Sequence, residues 1–498
     1  MYFFLSVGIG KNLTGIEHAI LKRKRVFDNC SLAHKIVTLN FNPNYAENLS
    51  LHGIDSRSFL NLYDCFQNLI FAEEKYNGLD QFLSKLSGDI RVEIQEKSGD
   101  AKIYINEVYT LYVHFFDNKN ISYINYFDVN RVKFKREIYN KKGYLCKVIY
   151  LEKNIQKNVH YIDKKNNLVL EETYNDKELS LMILHCDAKQ SFFLNKNELM
   201  EFWFQKLVSQ YPKSVFYSDK NKLYNETLIR IKSPSFKLIS VFHSVHVSNP
   251  RQIETGRINS NYQLSLGNKD KFDGFICSTD QQKKDLLERF GRDLKIWVIP
   301  PAYSETQDHQ GEVILENRFR IISVGRYYVE KRLHHIIEAV ELLKEDYPNI
   351  QLDLYGFGDA RDNFVYEKKI RQYVLDHQLE KNVHFKGYVQ NILDHIAEAT
   401  VSVVTSTLEG FCIGILDSLA VGTPVVAYDI KYGPNEIIED EYSGYLVEDG
   451  DIEALALAIE KTLLNNVMRD NAKESAKKYS LELNKQKWMN HLLELSNV

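Results

Sequence analysis

The chain has 498 residues, too many for one ordinary core, so two or three domains are expected. Its composition, 44% apolar and 26% charged with a net charge of −4, is that of a globular protein and excludes overall electrostatic attraction to nucleic acid or membrane. The six cysteines, Cys30, Cys65, Cys146, Cys186, Cys277 and Cys412, form no CxxC pair, which argues against a disulfide framework or a zinc site and for a reducing cytosol. No apolar run approaches the roughly 20 residues of a membrane helix, so a cytoplasmic protein is expected, at most peripheral to the inner membrane face.

The first 40 residues read as strand, glycine loop, helix and strand: Tyr2 to Val7, Gly8-Ile-Gly-Lys-Asn-Leu-Thr-Gly15, Ile16 to Phe27, and Ala33 to Asn40. This is half of a nucleotide-binding type of α/β unit. A helical stretch is expected around Ser56–Ala72. From Ile90 to about Leu194, short alternating segments broken by Asn/Gly/Asp/Lys turns predict an antiparallel β-meander. Parallel-sheet patterns then resume with strands at Phe236–Phe242, Phe272–Cys277 and Leu294–Pro300. Between the last two, Thr279 and Gln282 are spaced as a capping box. The polar stretch Ala302–Asn317 is the best linker.

A second βα series follows. Strands are expected at Phe319–Val324, Gln351–Tyr355, Val383–Phe385, Val401–Val404 and Pro424–Tyr428, with helices over Glu330–Leu343 and Ile413–Leu419. A last helix, Asn484–Ser496, carries Trp488, Leu492 and Leu495 on one face. The fold class is therefore α/β. The expected domains are residues 1–44 with 215–305 (Rossmann-like), 45–214 (inserted, β-rich), 306–482 (Rossmann-like), and a C-terminal helix, 483–498, packing back on the N-terminal domain.

Four short stretches of the second series carry chemistry. Ser323-Val-Gly-Arg-Tyr-Tyr-Val-Glu-Lys-Arg332 places Arg326 and Lys331 beyond a strand's carboxyl end, where two fixed cations could neutralise a diphosphate or equally be solvated at a helix entrance. Tyr355-Gly-Phe-Gly358 and Lys386-Gly-Tyr388 are strand-to-helix turns whose backbone could approach a ligand. In Thr407-Leu-Glu-Gly-Phe-Cys-Ile-Gly-Ile-Leu-Asp417, Glu409 precedes a short helix and Asp417 lies about one turn inside it. The helix start, Gly410, Phe411, Cys412 and Ile413, offers backbone N–H groups to an anion.

Taken in this order, the four stretches resemble the family-4 retaining glycosyltransferases of the two-Rossmann (GT-B) architecture, over about residues 318–480 and more loosely over 1–40 and 215–300. The resemblance implies two Rossmann-like domains facing across a cleft. It implies that Arg326 and Lys331 bind the donor diphosphate, that Glu409 holds the transferred hexose, and that the carboxylate at 417 binds the ribose. The family pattern has glutamate at that last position, so Asp417 is one methylene short. It further places His243, in Val241-Phe-His-Ser-Val-His246, near the sugar and acceptor, with His246 beside it, and Gly15 over the diphosphate.

The N-terminal loop, the meander, the Tyr428–Ile438 segment and the Val241–His246 segment are similar to one bacterial subgroup. It contains enzymes that add N-acetylglucosamine to serines of serine–aspartate-repeat or serine-rich-repeat adhesins, and wall-teichoic-acid α-glycosyltransferases. The implied donor is UDP-GlcNAc or UDP-glucose, used as a substrate. No cofactor or required metal is expected, and Asp449-Gly-Asp451 reads as structural. The basic residues Arg131, Lys133 and Arg136 of the meander are acceptor candidates for either polyanion, and are equally read as solvated turn residues. A homo-oligomeric or partner-subunit contact through the meander is the further expectation. A non-catalytic adhesin-binding subunit is the remaining alternative; such a chain should have lost the cation pair and Glu409, and this one keeps them.

Overall fold

The computed structural model describes residues 1–186, 189–304, 319–465 and 467–496, so most of the expected linker, 302–317, lies outside the described residues. The chain divides into two compact units, residues 1–13 with 33–237 and residues 14–32 with 238–498.

In the first unit, parallel strands lie in the order Ser214–Ser218, Tyr2–Leu5, His34–Thr38 and Phe59–Asn61. The apolar opening of the sequence forms its strand because Phe3, Phe4 and Leu5 are all fully buried, Phe3 stacking on Phe216 at 4.8 Å. The helix expected at 56–72 is replaced by a turn of 3₁₀ helix at Ser56–Ser58, the Phe59–Asn61 strand and a single helical turn at Asp64–Gln67. The cause is local side-chain bonding that competes with a helix ladder. Asn61 donates to the carbonyls of Thr38 and Asn40 and accepts from the N–H groups of Tyr63 and Asp64, and Asp64 accepts from those of Leu69 and Ile70.

The meander is a ten-stranded antiparallel sheet running in chain order from Ile90–Ile94 to Lys189–Phe193. Its period-two pattern buries Ala101, Ile103, Leu111, Val113, Ile121 and Ile124 beneath Leu79, Phe82, Leu83 and Leu86. Three of its turns, Asn106–Glu107, Lys153–Asn154 and Asp176–Lys177, have both residues at positive φ, the backbone that joins twisted strands through two residues.

In the second unit, the Phe236–Val241 strand from residue 238 onward, Gly274–Cys277 and Ile296–Val298 pair in parallel. The Thr279 side chain accepts from the Gln282 N–H, as its spacing required. A separate six-stranded parallel sheet runs Val383–Gly387, Gln351–Tyr355, Arg320–Val324, Val401–Val404, Val425–Tyr428, Gly444–Val447. The first strand in sequence, Arg320–Val324, lies at the centre, and strand order reverses between it and Val401–Val404. Sheets of this kind bind ligands at the carboxyl ends of those two strands.

The expected helix over 330–343 is broken. Val329–Lys331 is a 3₁₀ turn, Arg332 has a φ of 44°, and the α-helix runs Leu333–Leu343 with Ile336, Ile337 and Val340 fully buried. The C-terminal helix, Leu481–Ser496, packs on the Gly15–Asn29 helix through Trp488, whose ring meets Phe27 edge-on at 5.4 Å and lies under the Arg23 guanidinium.

Candidate active site

The carboxyl ends of the three adjacent strands bring the separate sequence stretches together. The Gly325 N–H donates to the Tyr355 carbonyl at 2.9 Å, the Tyr327 N–H to Phe357 at 2.8 Å, and the Gly356 N–H to Gly387 at 2.9 Å. Gly356 has a φ of 143°, and a Cβ there would stand 1.7 Å from the Gly325 carbonyl oxygen, so only glycine lets these two turns lie side by side.

At the switch point, Lys331 leaves the end of the central strand and Glu409 leaves the end of Val401–Val404. Their Nζ and Oε1 atoms are 2.5 Å apart, with the side chains 24% and 12% exposed. Burial pulls the Lys331 ammonium down, but the neighbouring Glu409 carboxylate outweighs it and the group ends above the usual lysine range. The Lys331 ammonium is therefore charged at neutral pH. The Ser406 hydroxyl also donates to Glu409 Oε1, at 2.7 Å, and Oε2 has no hydrogen bond among the described residues. Arg326 is half-exposed, stacked over Tyr328 at 4.0 Å and 3.7 Å from Glu330.

Beyond Glu409 the chain makes a left-handed turn at Cys412, φ 70°, and enters the Ile413–Ala420 helix, whose first turn has no side-chain cap. That leaves the helix's first backbone N–H groups and positive end directly after the loop that carries Glu409. Gly410 sits against the chain at His243: a Cβ at 410 would lie 2.4 Å from the His243 carbonyl oxygen. His243 itself lines a crevice at the carboxyl ends of Phe236–Val241 and Gly274–Cys277, together with Arg23, Ser278, Asn484 and Trp488. Asp417 lies 3.8 Å from Lys22 of the Gly15–Asn29 helix, whose start is formed by Thr14 and Glu17 as a capping box.

The family described as glycosyl transferases group 1 matches residues 304–479. This chain is a glycosyltransferase. The poly(glycerol-phosphate) alpha-glucosyltransferase of Bacillus subtilis is 25% identical over 99% of this chain and 75% of that protein. The UDP-N-acetylglucosamine–peptide N-acetylglucosaminyltransferase GtfA subunit of Streptococcus pneumoniae is 26% identical over 89% of this chain and 87% of that one. The crystal structure of the pneumococcal O-GlcNAc transferase GtfA in complex with UDP and GlcNAc superposes with a TM-score of 0.87 at 20% identity, over 100% of this chain and 99% of that one. The fold of the glycosyltransferase is thus GT-B, with the large antiparallel sheet inserted.

Several residues singled out in the sequence have side chains that are buried or already engaged. Tyr355 is a core residue, 4% exposed and stacked on His395 at 4.9 Å, so at this turn only its backbone is offered to a ligand. Phe411 is likewise buried, edge-on to Tyr479. Lys386 pairs with the buried carboxylate of Asp353 at 3.2 Å, and Tyr388 meets Phe357. A Cβ on Gly358 would meet Glu367 and Phe364, so that turn is closely covered. His246, expected beside the acceptor, is fully buried and lies parallel to the Tyr432 ring, with burial pushing its imidazole down to about 4; it is a packing residue. In the meander, Arg131 is exposed at a turn, Lys133 is half-buried, and Arg136 lies over Tyr123 at 4.4 Å while donating to Asn125. Two groups that motif reading passed over also belong to the site. Ser406, three residues before Glu409, fixes that carboxylate, and Arg332 donates to the carbonyls of Thr405 and Ser406 at 2.9 and 3.2 Å.

Proposed function

We propose that this glycosyltransferase transfers N-acetylglucosamine from UDP-GlcNAc to serine hydroxyls of acidic, serine-rich adhesin repeats, with retention of the anomeric configuration. The observation that carries the donor half is the Lys331–Glu409 pair at the strand-order reversal, close to an uncapped helix start. Lys331, Arg326 and the N–H groups at Cys412 and Ile413 neutralise the charge that grows on the departing diphosphate. Glu409 presents Oε2 to hydroxyls of the hexose, and Asp417 serves the ribose. The acceptor hydroxyl attacks the anomeric carbon from the face that UDP leaves. As the new C–O bond forms and the bond to the phosphate oxygen breaks, the acceptor proton passes to that oxygen.

The acceptor half is supported by the likeness to the pneumococcal GtfA subunit, a peptide N-acetylglucosaminyltransferase by name, while the cations on the meander serve either acidic acceptor. Those cations suit a polyanion. The likeness to the poly(glycerol-phosphate) enzyme over nearly the whole chain favours a second reading, in which the acceptor is a polyol-phosphate chain and the donor UDP-glucose or UDP-GlcNAc. An adhesin-binding subunit without activity is disfavoured by the intact Arg326, Lys331 and Glu409. A partner subunit or a second copy of the chain engages the meander in either case.

The test of the donor site is turnover of UDP-GlcNAc by Lys331→Met and Glu409→Gln. Each is expected to lower kcat roughly 10²–10³-fold, the usual cost of removing one preorganised charged group. Full turnover by either variant would refute the assignment.

A further inference from the structure

Away from the residues that bind the donor in this reading, a second charged cluster surrounds Asp449. Arg251 donates to its Oδ2 at 2.8 Å, and Arg332 to its Oδ1. Burial would raise the Asp449 carboxyl, yet the hydrogen bonds from the two arginines hold it below the usual aspartate range. The other carboxylate of Asp449-Gly-Asp451 accepts from the Ala454 N–H at 2.8 Å and starts the Ile452–Leu464 helix, so the two acids have separate jobs.

Arg332 stitches together the two loops of the site. Its fork reaches the Thr405 and Ser406 carbonyls, and the Thr405 hydroxyl donates back to the carbonyls of Lys331 and Arg332 at 2.9 and 3.1 Å. The Thr407 N–H donates to the Glu330 carbonyl at 2.8 Å. Lys331 therefore sits on one stitched segment and Glu409 on the other. Arg332 adopts a positive φ that side-chain-bearing residues disfavour, so its pose depends on these bonds. Arg251 comes from the segment that follows His243 and His246 in the chain, and its side chain is 76% exposed.

The geometry points to an Arg251–Asp449–Arg332 relay as a positioning element of the donor site. Arg332 sets the spacing of Lys331 and Glu409, Asp449 holds Arg332 in place, and Arg251 ties the segment after His243 to that arrangement. The inference rests on the reading of Lys331 and Glu409 as donor ligands, and it assigns the three relay residues to positioning alone.

The test measures kcat, KM and UDP affinity on the full chain. Arg332→Ala is expected to lower kcat roughly 10- to 100-fold and to weaken UDP, because a displacement near 1 Å at the reacting groups costs that much. Arg332→Lys keeps a charge opposite Asp449 but not the fork to two carbonyls, and stays low. Arg251→Ala, at an exposed position that folding tolerates, is expected to lower kcat several-fold with UDP affinity unchanged. The Arg251→Ala/Asp449→Ala double variant is expected to be no worse than Asp449→Ala alone. Parental kcat in Arg251→Ala, or losses that simply multiply in the double variant, would overturn the relay. Lys331→Ala run alongside separates the two ideas: if it stays active the donor-site reading fails, and if it dies while Arg251→Ala and Arg332→Ala keep full activity only the relay fails.

Discussion

Gly410→Ala perturbs the site by a single methyl group. Gly410 is not at a positive φ, so alanine brings no backbone strain of its own and the effect is one of contact. The new Cβ would stand 2.4 Å from the His243 carbonyl oxygen, 2.5 Å from its carbon and 2.7 Å from the Ser244 nitrogen. These atoms cannot swing aside as a flexible side chain would, because the His243 and Ser244 N–H groups both donate to the Tyr262 hydroxyl at 3.0 and 3.1 Å. Ordinary contact begins near 3.4 Å, so the two segments must part by about 1 Å. Such overpacking costs about 1–3 kcal/mol of stability. A shift of that size one residue from Glu409 is expected to cost roughly 10²-fold in kcat. The assay is steady-state turnover of UDP-GlcNAc beside a thermal melt of the same preparation. Expected is a folded protein, modestly less stable, with kcat down about 100-fold. A variant that keeps the parental kcat would refute the claim that the Gly410–His243 contact sets the site.

Asp417→Glu restores the missing methylene and should leave kcat within a few-fold while lowering the KM for donor by up to roughly 10-fold, the worth of one hydrogen bond to a charged group; a raised KM would show that the Lys22–Asp417 spacing, and not reach toward the ribose, decides affinity. His246 has its pKa lowered by burial to about 4 from an ordinary 6.5, so the unfolded chain binds the extra proton between those values. Its contribution is complete above pH 6.5 and is lost as pH falls toward 4, a loss of roughly 3 kcal/mol. Urea titrations of His246→Phe should show a flatter acid limb than the parent over that window, and an unchanged slope would contradict the burial argument. Trp488→Ala, at a position 4% exposed against Phe27 and Arg23, should lower stability by about 3–5 kcal/mol in urea titrations, and a loss below 1 kcal/mol would show that the C-terminal helix is not held there.

Much of the fold was legible because its elements are governed by periodicity. Gln351–Tyr355 and Val401–Val404 fall where their apolar runs lie, and the meander follows from alternation and turn residues. The 56–72 region was not legible as a helix, because Asn61 and Asp64 spend their side chains on backbone groups and only the folded contacts reveal it. The break at Arg332 was hidden for a similar reason: its guanidinium reaches carbonyls some 70 positions downstream. In the candidate site, Arg326, Lys331 and Glu409 stand in order as a motif, and the sheet brings two of them together, since Lys331 and Glu409 lie on the loops after the two strands that flank the reversal. His246 was misplaced by motif adjacency, which cannot tell a residue that faces a cleft from one packed in the core. Asp449 carried a readable DxD spacing, but its meaning lies in two arginines that are distant in sequence.

The central claim is tested most directly by incubating the protein with UDP-GlcNAc labelled in the sugar, together with a serine–aspartate repeat peptide and a polyol-phosphate chain. Peptide and polymer are then separated and analysed by mass spectrometry and by NMR of the anomeric proton. The account predicts N-acetylhexosamine on peptide serines in the configuration of the donor. Label confined to the polyol-phosphate chain, or a peptide linkage of inverted configuration, would contradict it.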